Sequence, residues 1–111
     1  MQGKLLYFAR AGSTDRVKIG AAKDPQSRIK FLQTAVVEPL QLEGVLIGGT
    51  KIEAELHHHL QHRRIRGEWF SLTKEEVASF LEVTSSLEIA GSQGAIAHVR
   101  EHIERIASEL P

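Results

Sequence analysis

Apolar residues recur along this chain in two rhythms, one of alternation and one of helical spacing, and the changes between them mark out its elements. Residues 4–9 (KLLYFA) and 16–20 (RVKIG) are short β-prone runs separated by turn-forming Gly, Ser, Thr and Asp, which predicts an antiparallel hairpin. Tyr7 and Lys18 are expected to pair directly across it, with Arg10 opposite Asp15 over an Ala-Gly-Ser-Thr loop, so that both side chains share one sheet face. Asp24 offers an N-cap and Pro25 a first helical position, opening a helix to about Gln33 with Ile29 and Leu32 turned inward. Pro39 closes that region. Residues 40–47 (LQLEGVLI) read as a third strand ended by Gly48-Gly49. From Thr50 to about Gln61, Ile52, Leu56 and Leu60 form one apolar helical stripe on an otherwise charged and His-rich segment.

Beyond the basic link HRRIRG, the triplet Glu68-Trp69-Phe70 is expected to pack aromatic surface on the core, with Trp69 a core residue rather than a platform for bases. Thr73 and Glu76 form a capping box, and Leu72 and Val77 a hydrophobic staple, fixing a helix start. Residues 84–94 are Ser- and Gly-rich and read as a linker, followed by a last helix with Ile96, Val99, Ile103 and Ile106 on one face. The order β-β-α-β-α followed by helices predicts an α+β fold: a small, antiparallel-containing, three-stranded sheet flanked by helices. Residues 1–73 form its core and residues 74–111 a C-terminal helical extension.

Composition narrows the chemistry. With 111 residues, 41% hydrophobic and 25% charged, the chain is the size of one globular domain. It has no cysteine, which excludes disulfides, thiolate zinc sites and a cysteine nucleophile. No apolar run approaches membrane-spanning length and the first residues enter a strand pattern, so a cytoplasmic protein is expected. The net charge of zero conceals an asymmetry: residues 1–73 hold 11 Lys/Arg against 7 Asp/Glu, and residues 74–111 hold 3 against 7. A basic front half is what a phosphate-binding surface requires, which makes DNA the expected partner.

Tyr7, Lys18-Ile19-Gly20, Arg28, Glu53-x-x-Leu56-His57 and Gly67-Glu68-Trp69-Phe70 follow one another in an order that resembles the GIY-YIG nuclease superfamily, in its short branch of phage, meiotic and bacterial stand-alone proteins. Tyr7 lies 11 residues before Lys18, and Lys18 lies 10 before Arg28, as that superfamily spaces its motifs. The likeness covers residues 4–73. It departs from the full pattern where Leu5-Leu6-Tyr7 stands for the first Gly-Ile-Tyr and where Lys18 stands for a second tyrosine.

The resemblance implies a metal-dependent endonuclease in which Tyr7 is the general base, its phenol depressed by Lys18 and Arg28. Arg28, with its planar fork, would clamp the scissile phosphate. Glu53 would hold Mg²⁺ or Mn²⁺, since such an ion keeps most of its waters and needs few protein ligands. His57, one turn after Glu53, shares its helix face and is expected to be catalytic, touching the metal, a phosphate or the leaving group. Lys30, Arg63, Arg64 and Arg66 are expected to contact the nucleic-acid backbone. Taken singly, each of these residues is as well explained by packing or solvation; their joint order and spacing points to chemistry. His58 and His62 are four apart, but without a third ligand they read as a polar face rather than a zinc site. Two other functions fit the chain: a DNA-binding module of the same fold with little catalysis, and an interaction domain, or homo-oligomer, using the C-terminal helices.

Overall fold

The structure is a computed structural model that describes residues 3–111, and for residues 85–93 their backbone only. Strands β1 (Leu5–Ala11) and β2 (Arg16–Ala22) form the hairpin, joined by the four residues Gly12–Asp15. Helix α1 (Pro25–Gln33) begins where expected, the Asp24 carboxylate accepting from the Ser27 N–H at 3.2 Å. Strand β3 (Leu40–Leu46) and helix α2 (Gly49–His59) follow. Two three-residue strands, β4 (Arg64–Arg66) and β5 (Trp69–Ser71), then precede α3 (Lys74–Leu81) and α4 (Leu87–Glu109).

The sheet has five strands rather than three, all antiparallel, in the order β3-β1-β2-β5-β4. The additional pair forms because β5 completes the free edge of β2, with Val17 opposite Phe70 and Lys18 opposite Trp69. Helix α4 takes in most of the stretch expected as a linker. Among the described residues no helix is long and apolar enough to cross a membrane.

Period-two alternation gives the sheet two faces. One carries Leu6, Phe8, Val17 and Ile19 into a core shared with Ile52, Leu56 and Leu60 of α2, Val77 and Phe80 of α3, and Val99 and Ile103 of α4. The C-terminal helices thus contribute to the core, α4 through Val99, Ile103, Ile106 and Ala107, while Ile96 of the expected stripe is 37% exposed. The other face carries Tyr7, Ala9 and Ala22 against Ile29 and Leu32 of α1.

One cation is buried on the core face. Arg10 is 1% exposed, and its guanidinium donates to both carboxylate oxygens of Glu43 on β3 and to the carbonyls of Thr14 and Leu72 at 3.0 and 2.8 Å. A second arginine clamp closes the chain's far end. Arg63 donates to both oxygens of Glu76 at 2.9 Å, to the Ser71 carbonyl at 3.0 Å and to the Pro111 carbonyl at 2.9 Å. Glu76 also accepts from the Thr73 N–H, completing the capping box read from the sequence. With its donors committed internally, Arg63 is a structural clamp and not the phosphate contact expected of it.

Two predictions concern these clamps. Glu43→Gln leaves the buried Arg10 charge with only the exposed Asp15 carboxylate at 3.9 Å as counter-ion and should cost about 3–5 kcal/mol, read as a lower urea midpoint at unchanged slope. An unchanged midpoint would show that the carbonyls and Asp15 suffice. Hydrogen bonding from Arg63 holds the Glu76 carboxyl below the usual carboxylate range. Its contribution is therefore complete above that range and is lost as pH falls through the lowered value. Arg63→Ala should lower stability by about 1.5–3 kcal/mol near neutral pH and by less in acid, where a pH series of thermal melts would show the two proteins converging.

Candidate active site

Strand β2 presents Arg16, Lys18, Gly20 and Ala22 toward the α1 side, and the hairpin register sets Tyr7 opposite Gly20 and Ala9 opposite Lys18. Tyr7 and Lys18 share a face, as the alternation predicts, but as diagonal neighbours. The pairing is displaced by two residues from a direct match because the loop runs from Gly12, at φ 57°, to Asp15 instead of beginning at Ala11. This offset explains the glycine of the Lys-Ile-Gly segment. A Cβ at residue 20 would lie 2.5 Å from the Tyr7 hydroxyl oxygen and 2.6 Å from its Cζ, so only glycine lets the phenol lie across the strand.

Three further elements bring charge to that phenol. Arg28 on α1, Glu53 on α2 and Glu68 in the β4–β5 turn all act on it electrostatically. Glu68 is held against β2 by the Ile19 N–H, which donates to its carbonyl at 2.9 Å. Its carboxylate lies 3.0 Å from the Lys18 ammonium, which in turn sits 5.8 Å from the centre of the Trp69 indole. The sequence reading placed Glu68 in an aromatic packing triplet and assigned it no role. The available signal was a carboxylate beside Phe70, which buries itself without needing it, and Trp69, which is half-buried at a cleft rather than in the core as expected.

The charge balance differs from the expectation. Tyr7 is 2% exposed, and its phenol is pushed up to about 12, first by burial and then by Glu68 and Glu53 against the opposing pull of Arg28. The lysine expected to depress it is paired with Glu68. The Glu53 carboxyl is likewise held above the usual range, by burial first and then by Glu68, with Lys18 and Lys4 opposing. Glu53, whose ionisation the Glu68 carboxylate makes costlier, forms with it a donor pair that a divalent cation would relieve. The pair suits a hydrated Mg²⁺ or Mn²⁺ that takes few protein ligands. Among the described residues no group of three or more His, Asp or Glu side chains is placed to hold a metal ion.

His57 acts on position. Its Nε2–H donates to the Ile19 carbonyl at 2.9 Å while its ring packs 5.0 Å from that of Phe70, so it fastens α2, and Glu53 one turn earlier, to β2. Arg28 is exposed beside a cleft of about 360 Å³ lined by Lys4, Lys23, Ser27 and Phe31. Its guanidinium forms no ion pair among the described residues. Lys30 is exposed on the same helix. Arg64 donates to the Gly67 carbonyl at 2.6 Å and stacks 5.0 Å from Phe70, whereas Arg66 is exposed on β4. Of the four cations expected on the nucleic-acid backbone, Lys30 and Arg66 are free for it, Arg64 is partly engaged and Arg63 is committed elsewhere.

Tyr7 is the chain's one tyrosine, so its ionisation can be followed directly by tyrosinate absorbance. With chelator present the titration should centre near pH 12, and Glu68→Gln should move it lower by removing the larger of the two raising charges. A titration near the ordinary value of 10 would mean that the phenol is neither buried nor faced by these carboxylates.

No curated protein and no solved structure matches the chain significantly. A family profile, that of the T5orf172 domain, matches residues 4–85, a range that takes in every residue of the site and continues through α3. This domain occurs in phage and bacterial proteins and is associated with nuclease-like proteins. Spanning well over half of the chain and the whole of its sheet, the match shows that the chain belongs to the T5orf172 domain family.

Proposed function

We propose that this chain is a metal-dependent endonuclease of the GIY-YIG type that hydrolyses DNA phosphodiester bonds. What supports this reading is the convergence of Tyr7, Lys18, Arg28 and Glu53, drawn from four elements, on one stretch of β2, with Glu68 completing the group. Packing alone has no need of five ionisable groups at one spot.

Phosphodiester hydrolysis needs a base for the attacking water, positive charge on the phosphoryl oxygens and stabilisation of the departing oxygen. Arg28 offers an unpaired planar fork at the open side of the site and would take the scissile phosphate in a bidentate grip. Lys18, tethered to Glu68, would orient the water or the phosphate as a fixed point charge. Tyr7 would take the water's proton once its phenol is brought down from about 12. Glu53, with Glu68 beside it, would hold the Mg²⁺ or Mn²⁺, which when bound supplies positive charge to the phosphate oxygens and offsets the two carboxylates.

The burial of Tyr7 favours a second reading, in which the domain binds DNA through Arg28, Lys30 and Arg66 and cuts little. Glu53→Gln separates the two. It preserves shape on the polar side of α2 while removing the negative charge that a cation requires, so single-turnover cleavage of plasmid or branched DNA in Mg²⁺ should be abolished. Affinity measured in chelator should stay within about two-fold, as expected for a group that acts only on the chemical step. Cleavage at the parent rate would remove Glu53 from the reaction, and absence of cleavage in both proteins on every substrate would establish the binding module.

A further inference from the structure

The α1 side of the sheet is only half covered. Past the end of that helix a cleft of about 220 Å³ opens, with Trp69, Ile65 and Val36 as apolar walls and Arg16, Glu38 and Arg66 at its rim. Ala11, next to Arg16 on the neighbouring strand, forms part of its lining. The volume lies below the roughly 300 Å³ at which pockets begin to hold drug-sized ligands, and suits one flat ring system. Ile65 is 51% exposed here, an apolar side chain left open to water beside an indole that is only half-buried.

The cleft continues from the candidate active site. Arg16 and Lys18 are alternate residues of β2 on one face, so they stand about 7 Å apart along the strand. Trp69 belongs to both regions, because it pairs with Lys18 across the sheet, lies against that ammonium and lines the cleft. The rim charges favour an anionic strand. Glu38 is neutralised by its ion pair with Arg16, which leaves Arg66, with no ion pair among the described residues, as the uncompensated charge. An apolar slot with an aromatic wall, Arg66 at its mouth and the Lys18 ammonium one alternate residue along β2 combines the features that hold unpaired bases on proteins.

We infer that this cleft receives an unpaired DNA base next to the phosphate met by Lys18, so that the preferred substrate is DNA carrying an unpaired nucleotide beside the scissile bond. This rests on the proposed function for its phosphate, but not for its base. A base inside a duplex cannot enter the slot, because its faces are covered by its stacked neighbours. A bulge, a flap or a single-stranded junction supplies one at little unstacking cost.

Trp69 is the only tryptophan, so its fluorescence reads the cleft directly and without cleavage. The whole chain in chelator would be titrated with a bulged duplex, with single-stranded DNA and with the fully paired duplex of the same sequence. Quenching is expected with the first two and not with the third. In parallel titrations read by the anisotropy of end-labelled DNA, Trp69→Leu should reduce the preference for bulged over paired DNA roughly 5- to 150-fold, the range for loss of one stacked base. Ile65→Asp, on the exposed wall and away from the core, should reduce the preference in the same direction and covers the case in which Trp69→Leu fails to fold. Equal quenching by paired and bulged DNA, no quenching by any DNA, or full preference retained in Ile65→Asp would each overturn the inference. Cleavage that ignores the bulge sinks this inference and leaves the nuclease reading standing. Quenching by the bulge with no cleavage of any substrate does the reverse.

Discussion

Burying a full positive charge on the core face of the sheet is a constraint that this fold satisfies in one way only. The guanidinium of Arg10 finds its acceptors on Glu43 of β3, at Thr14 in the hairpin loop and at Leu72 just before α3. An unpaired charge there would cost several kcal/mol, a large share of the 5–15 kcal/mol that holds a typical domain together. These segments must therefore arrive together. The hairpin, β3 and the exit from β5 are locked in mutual register, and with them the distance from Lys18 to the turn that carries Glu68.

Around that lock the sheet divides its labour. The face covered by α2, α3 and α4 holds most of the large apolar side chains and provides the stability. The opposite face is covered only by α1, through a small cluster around Tyr7 and Ile29, and is free to hold charge. Packing by the first face lets the second tolerate a carboxylate and a phenol both held above their ordinary ionisation. His57 joins the two sides, anchored in the core by Phe70 and hydrogen-bonded to the back of β2.

What could be read from the sequence was governed by local rules. The hairpin, the Asp24–Pro25 helix start, the Ile52–Leu56–Leu60 stripe and the Thr73–Glu76 box each depend on residues within a few positions of one another, and all of them stand. Tyr7 and Lys18 could be placed on one face because alternation is indifferent to a displacement of two residues. What escaped was non-local. Arg64–Arg66 has no apolar alternation to announce a strand and becomes one only because β5 is there to pair with it. Beyond Thr14, the acceptors of Arg10 lie 33 and 62 residues away, and Arg63 reaches 48 residues to Pro111, so most of the burial and clamping is set by distant residues. Glu68 was hidden for the same reason, since its meaning comes from Lys18 fifty residues earlier on the neighbouring strand.

The steric bond between Tyr7 and Gly20 also fixes the order in which a lineage of such domains can change. While the phenol lies across the strand, any side chain at 20 collides with it, so that position is frozen however little chemistry it performs. Loss of the ring opens the space, and the glycine is then released to drift. A copy that has abandoned its chemistry would first lose the tyrosine and only afterwards fill the gap beneath it. Return would be barred from that point, because restoring the ring would require both positions to revert at once.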